Sequence, residues 1–206
     1  MWYLIIWRFL FVYIGAKIFS KMISKVIANR RAVYPAQYNI EEVTVEEIKT
    51  ILQAANWAPT HRRTEPWRFI VFHSKESRGK LAEFLSTTYK EKSNNFTEVK
   101  FKKYQVNPVK AACVIAICFQ RDPKESIPEW EEIASTAMAV QNMWLTASEM
   151  KIGTYWGSPA ISKYLNEFVP MKEGEQCLGF FYMGKYDAEL PEGFRQTAIE
   201  EKTRWI

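Results

Sequence analysis

The sequence predicts one globular domain in which helices alternate with strands, behind an apolar N-terminal segment. Three observations predict it. The 206 residues are 48% hydrophobic and 25% charged, enough apolar surface to build a core without disulfide or metal staples. Helical and strand patterns follow one another from Met22 onward with no repeat or low-complexity tract. The uninterrupted apolar run Ala111 to Phe119, AACVIAICF, has strand length and the pattern of a strand covered on both faces, which predicts a central position in a sheet.

Residues 1–21, MWYLIIWRFLFVYIGAKIFSK, are the compositional outlier. Arg8 and Lys17 interrupt the apolar run, so it is a poor but readable membrane anchor. A secretory signal would carry its charge ahead of the apolar stretch and a small-residue cleavage site after it, and neither is present. The other reading is an upstream start ahead of a natural beginning at Met22. This divides the chain into a segment 1–21 and a domain 22–206. Ile23 to Asn29 then reads as an amphipathic helix. Thr44-Val45-Glu46-Glu47 is a capping box, with Ile48, Ile51, Leu52 and Ala55 at helical spacing behind it and a loop from about Ala58 at Pro59. Trp67 to Phe72, WRFIVF, is a strand. Ser77 to Tyr89 is a helix with Leu81, Phe84 and Leu85 on one side. Residues 129–150 are the longest helical candidate, with Ile133, Ala137, Val140, Trp144 and Leu145 at core spacing and small Ala134, Ser135 and Ala139 permitting close approach, as a hub or dimer helix requires. Leu178 to Met183, LGFFYM, is a second buried strand, and the polar tail from Pro191 to Ile206 either wraps a partner or frays.

The formal charge of +5 is not a nucleic-acid signature. Three of the excess cations, Arg8, Lys17 and Lys21, lie in residues 1–21 with no acid beside them, leaving +2 on the rest. The cluster Lys100, Lys102, Lys103 and the pair Arg62, Arg63 are too short to track a phosphate backbone. Cys113, Cys118 and Cys177 have no CxxC spacing and only His61 and His73 to join them, so neither a zinc site nor a cystine framework is implied, and a reducing, cytoplasmic setting fits. Cys113 and Cys118 fall on opposite faces of their strand and read as small core residues. No dinucleotide fingerprint, P-loop, nucleophile elbow or zincin motif occurs.

Three unusual stretches remain: Ala28-Asn29-Arg30-Arg31-Ala32, Trp57 to Phe69, and Gly153-Thr154-Tyr155-Trp156-Gly157-Ser158-Pro159. On the residues alone, Arg30 and Arg31 either complement the end of a helix dipole or reach an anion. His61 in its Pro-flanked loop is either a turn residue or a ligand contact, and Trp156-Gly157-Ser158 is either a β-turn or a polar cradle. Together with Gly179-Phe180-Phe181-Tyr182-Met183-Gly184, these stretches stand in the order found in one family. From Met22 to Gly184 the chain resembles the nitroreductase superfamily of FMN-dependent oxidoreductases, in its short bacterial branch.

The resemblance implies an α+β fold, a mainly antiparallel sheet flanked by helices, in an intertwined homodimer with FMN sites at its interface. It implies that Arg30, Arg31 and Ala32 serve the phosphate end, that Trp156, Gly157 and Ser158 run beside the flavin ring, and that Trp57 and His61 reach the FMN of the partner subunit. Ala32 stands where the family usually has Ser, Pro159 where it often has Gly, and Gly157 where it has a basic residue. Lys185 is a weaker candidate for phosphate charge, and Arg195 and Arg204 weaker still. The implied reaction takes hydride from NADH or NADPH through flavin N5 to a nitroaromatic, quinone or similar small-molecule acceptor. The cofactor performs the difficult chemistry, so no catalytic side chain is assigned. The alternative is a membrane-associated flavin-binding or interaction protein that keeps the fold without useful turnover.

Overall fold

The computed structural model describes residues 23–206. The apolar segment 1–21 and Met22, with the readings of anchor and upstream start, lie outside the described residues. Two compact units divide the chain. The larger holds residues 32–188; the smaller combines residues 189–206 with residues 23–31. In the smaller unit residues 23–29 are helical (α1), as their spacing predicts, and the tail carries one short 3-10 turn, Glu200–Lys202.

The larger unit is built on a four-stranded sheet: β1 (Trp67–Phe72), β2 (Cys113–Gln120), β3 (Ile152–Gly157) and β4 (Glu175–Lys185), in the order β1-β2-β4-β3. Every neighbouring pair is antiparallel. β2 is therefore internal, as its continuous apolar run predicts. Its side chains alternate between two cores. Cys113, Ile115 and Ile117 join Phe181 and Met183 of β4 beneath the helices α2 (Val45–Ala55) and α5 (Glu129–Glu149). Val114, Ala116 and Cys118 join Phe180 and Tyr182 on the other face, with Leu81 and Leu85 of α3 (Lys75–Lys92). A fourth helix, α4 (Glu98–Lys110), packs beside α3.

One helix has no counterpart in the sequence reading, although its lysine cluster forms a solvated helix face, and a second turns a partly different stripe inward. The Lys100–Lys103 cluster lies within α4, which keeps Pro108 in its last turn. There the carbonyls of Val109 and Ala111 accept hydrogen bonds from the buried guanidinium of Arg78. α5 buries Val140 and packs Trp144 against the core as the spacing predicts, but leaves Ile133 exposed. Ser135, Ala139, Val140, Met143 and Ala147 are inside, whereas Ile133 and Met138 are exposed. Small residues let the helix lie close to the sheet, and that closeness, rather than side-chain size, decides which stripe faces in.

The segment following Ala32 closes the free edge of β3. Val33 donates its backbone N–H to the Thr154 carbonyl at 3.0 Å, and the Tyr38 hydroxyl donates towards the carbonyls of Val33 and Tyr182. Gly184 makes this packing possible, since a Cβ there would lie 2.5 Å from the Tyr38 ring.

Candidate functional site

Two tryptophans bracket the loop after α2, and the structure separates their tasks. Trp67 begins β1 and is buried, its indole N–H donating to Asn56 Oδ1 at 3.3 Å, while Trp57 is 80% exposed. Between them the chain is tightly wound. Arg62, Arg63 and Glu65 all have positive φ, at 51°, 57° and 43°, a conformation disfavoured for residues with a Cβ. Thr60 braces it: its hydroxyl lies 3.1 Å from that of Thr64 and accepts the Glu65 backbone N–H at 3.1 Å. His61 sits in the resulting 3-10 turn, with Nδ1 2.6 Å from Glu131 Oε2 in the first turn of α5. A carboxylate at Nδ1 holds the proton there and leaves Nε2 of the neutral ring as an acceptor. Glu131 is a residue that sequence reasoning did not find. Acidic residues at a helix start are ordinary, and nothing local links position 131 to position 61.

Trp156, Gly157 and Ser158 lie at the end of β3. The expected turn begins only at Ser158, because Gly153 to Gly157 are paired with β4 as strand. Ser158 is exposed, and Pro159 accepts the Ser162 N–H at 2.9 Å as a 3-10 helix, Ala160–Glu167, begins. The backbone here is pressed against β4. Gly179 has φ +136°, and a Cβ on it would lie 2.3 Å from the Gly157 carbonyl oxygen and 2.9 Å from both Ser158 Cα and Trp156 Nε1. The Trp156 indole N–H is buried without a hydrogen-bond partner, a costly state for a donor. Tyr155, its neighbour, packs its ring at a tilt of 45° against that of Tyr34, with ring centres 4.6 Å apart.

Arg30 and Arg31 belong to the smaller unit, just past α1. The Arg31 guanidinium donates to the carbonyls of Ala28 at 2.6 Å and Pro191 at 3.1 Å, tying the helix end to the tail. Burial, then the charges of Arg195 and Arg31, hold the Arg30 guanidinium below its ordinary value. Three arginines thus gather their charge in one place, and Arg195 contributes more than its position in a polar tail suggested. Ala32 opens the larger unit and is half-buried. Lys185 is already engaged, its ammonium 2.5 Å from Glu47 Oε1.

The family described as the nitroreductase family matches residues 27–185. The chain belongs to the nitroreductase family. Among its relatives, the Bacillus subtilis (strain 168) protein named "Putative NAD(P)H nitroreductase YfhC" is 28% identical over 86% of this chain and 90% of its own. The solved structure of a nitroreductase-like family protein from Bacillus cereus superposes with a TM-score of 0.75 at 27% identity, covering 89% of this chain and 95% of the other. A Desulfovibrio desulfuricans structure described as a "putative nitroreductase in complex with fmn" shares the fold, with a TM-score of 0.65 at 22% identity over 87% of this chain and 94% of its own. As a nitroreductase-family member the chain has the α+β architecture that its motifs imply, with a helix layer on each face of the antiparallel sheet. Among the described residues no helix is long and apolar enough to cross a membrane.

Proposed function

We propose that the chain is an FMN-dependent oxidoreductase that draws hydride from NADH or NADPH and delivers it to a small electron acceptor such as a nitroaromatic or quinone, as a homodimer. Membership of the nitroreductase family makes it an oxidoreductase by class. The observation that carries the cofactor assignment is the gathering of Arg30, Arg31 and Arg195, whose concentrated positive charge a phosphate dianion complements. The larger unit offers what a flavin ring needs: an unsatisfied indole donor at Trp156, and the polar backbone of Gly157 and Ser158 beside it. The arginines suit a phosphate and the Trp156–Ser158 segment suits a polar ring edge, each within its own unit.

In this reading Arg30, Arg31 and Arg195 hold the phosphate, with the Ala32 backbone in place of the usual side-chain hydroxyl. Trp156, Gly157 and Ser158 hold the polar edge of the ring. Exposed Trp57 and the braced His61 serve the cofactor of the partner subunit, with Glu131 orienting the imidazole. When bound, FMN supplies hydride transfer at its N5 atom. The protein's part is to position donor and acceptor in turn and to limit access by water.

The test is the absorption spectrum of the purified full chain. A flavin band that NADH or NADPH bleaches without oxygen, and that a quinone or nitroaromatic restores, is the expected result. A colourless protein that takes up no added FMN would overturn the proposal and favour the interaction-protein alternative.

A further inference from the structure

The three cysteines are free thiols and all are buried, but they are not equivalent. Cys113 points into the core beneath α2 and α5, whereas Cys118 and Cys177 share the opposite core. Cys118 of β2 is the direct cross-strand partner of Cys177 of β4, at an irregularity where the register shifts between Ile117 and Cys118. Directly opposed residues of an antiparallel pair have Cα atoms about 4.5–5.5 Å apart, inside the roughly 4.4–6.8 Å window a disulfide requires. The irregularity lies on β4, because Ile117 pairs with Gly179 and Cys118 with Cys177, leaving Leu178 unopposed. A strand loosened in this way can adjust its backbone to bring two sulfurs into bonding geometry.

The surroundings distinguish the two thiols. Cys118 is fully buried, whereas Cys177 keeps 8% exposure and lines a cavity of about 440 Å³ together with Lys163, Lys172, Glu173 and Glu175. The contact between the two thiols, then burial, push Cys118 upward; the same contact holds Cys177 below the ordinary thiol value against the effect of burial. The thiol of Cys177 also lies 3.5 Å from the Gly179 carbonyl. A sulfur that reaches a cavity beside one that is fully enclosed is the arrangement of an attacking and a resolving cysteine.

We propose that Cys177 and Cys118 form a peroxide-sensitive dithiol that oxidises reversibly to a disulfide across β2 and β4. The Cys177 thiolate attacks one oxygen of hydrogen peroxide; the S–O bond forms, the O–O bond breaks and hydroxide leaves. Cys118 sulfur then attacks the Cys177 sulfenic acid, the S–S bond forms, the S–O bond breaks, and the departing hydroxide takes the Cys118 proton as water. In sum two thiols and one peroxide give one disulfide and two waters. A dithiol returns the bridge to the reduced state by exchange, as a transient disulfide in a reducing compartment requires. The bridge would stiffen β4 two residues before Gly179, which packs against Gly157 and Ser158. The proposal does not depend on the flavin reading, and its readout is covalent.

The experiment exposes the folded full chain to hydrogen peroxide, then unfolds it under acid and counts thiols. The expected count falls from three to one, intact mass drops by two hydrogens, and dithiothreitol restores both. Cys113→Ser should behave like the native chain with one thiol fewer, and its digest should join the β2 peptide to the β4 peptide. In Cys118→Ser the reaction should stop at a Cys177 sulfenic acid that dimedone traps. Should either substitution at the pair prevent folding, the native digest still decides. A cross-link through Cys113, or three thiols persisting after free cysteine in the same vessel has been oxidised, would overturn the proposal.

Discussion

At Arg30 a single guanidinium is asked to combine partial burial with two like charges nearby, Arg195 and Arg31, which together lower its affinity for its proton. In the proposed site a charge-assisted contact with phosphate would offset that cost, and losing one such contact is worth about 1.5–3 kcal/mol, or about 10- to 100-fold in affinity. Arg30→Ala should therefore weaken FMN binding by about that factor in a fluorescence titration; an unchanged dissociation constant would remove Arg30 from the site. Gly179 carries the opposite kind of constraint, one of backbone rather than charge. Its φ is +136°, and the Gly157 oxygen lies 2.3 Å from the place an alanine methyl would take. Backbone strain alone costs about 1–3 kcal/mol, so Gly179→Ala should lower Tm by roughly 5–10 °C in a chain of this size. Calorimetry showing no change would mean that the β4 irregularity relaxes freely.

Among the elements, α2 shows how one side chain can join two others. Glu47 accepts the Thr44 backbone N–H at 2.8 Å through Oε2, completing the capping box, and meets Lys185 at the end of β4 through Oε1. Burial works to raise its carboxyl, but hydrogen bonds from Lys185 and Thr44 outweigh it and leave the group below its ordinary value. A carboxyl depressed in the folded chain stabilises it above the unfolded-state value and loses that contribution as pH falls through the folded one. The native chain should thus lose more stability than Glu47→Gln between pH 6 and pH 3, both followed by thermal melts; parallel losses would show that Glu47 contributes nothing. This element was legible because its signals are local: the capping box and the apolar spacing lie within a dozen residues, from Thr44 to Ala55. β2 was legible because burial on both faces leaves no polar position. The buried face of α5 was legible in part: Val140 and the small Ser135 and Ala139 are inside, whereas Ile133, marked by its size, is exposed. β3 was obscured, its Gly and Trp residues reading as a turn when pairing with β4 makes them strand. Of the candidate site, the motifs named Trp57, His61 and Trp156, but the contacts of His61 with Glu131 and of Trp156 with Gly179 join elements remote in sequence.

For the molecule as a whole, the question is what covers its exposed apolar residues. Trp57 at 80% and Trp130 at 68% stand out from the loop and from the first turn of α5, and Met138 and Ile133 follow along that helix. A single chain exposes scattered apolar residues without consequence, but two exposed tryptophans beside the His61–Glu131 pair are costly in water and suited to a buried interface. The proposed homodimer gives them an occupant, and it ties assembly to cofactor binding, because Trp57 and His61 then complete the partner's site. Opposed charge tests that link without touching any flavin contact. Trp130→Lys combined with Ile133→Lys, one turn apart on α5 and both exposed, places two like charges on one face of each copy of the helix, so a two-fold interface there must bring four cations together. Sedimentation equilibrium should show the native chain at twice its 24.2 kDa mass and the double variant at the single mass, with flavin content falling in step. A native chain that sediments as one copy while retaining flavin would separate the two properties, and Trp57 and His61 would then have to be withdrawn from the site while Arg30, Arg31 and Trp156 remained.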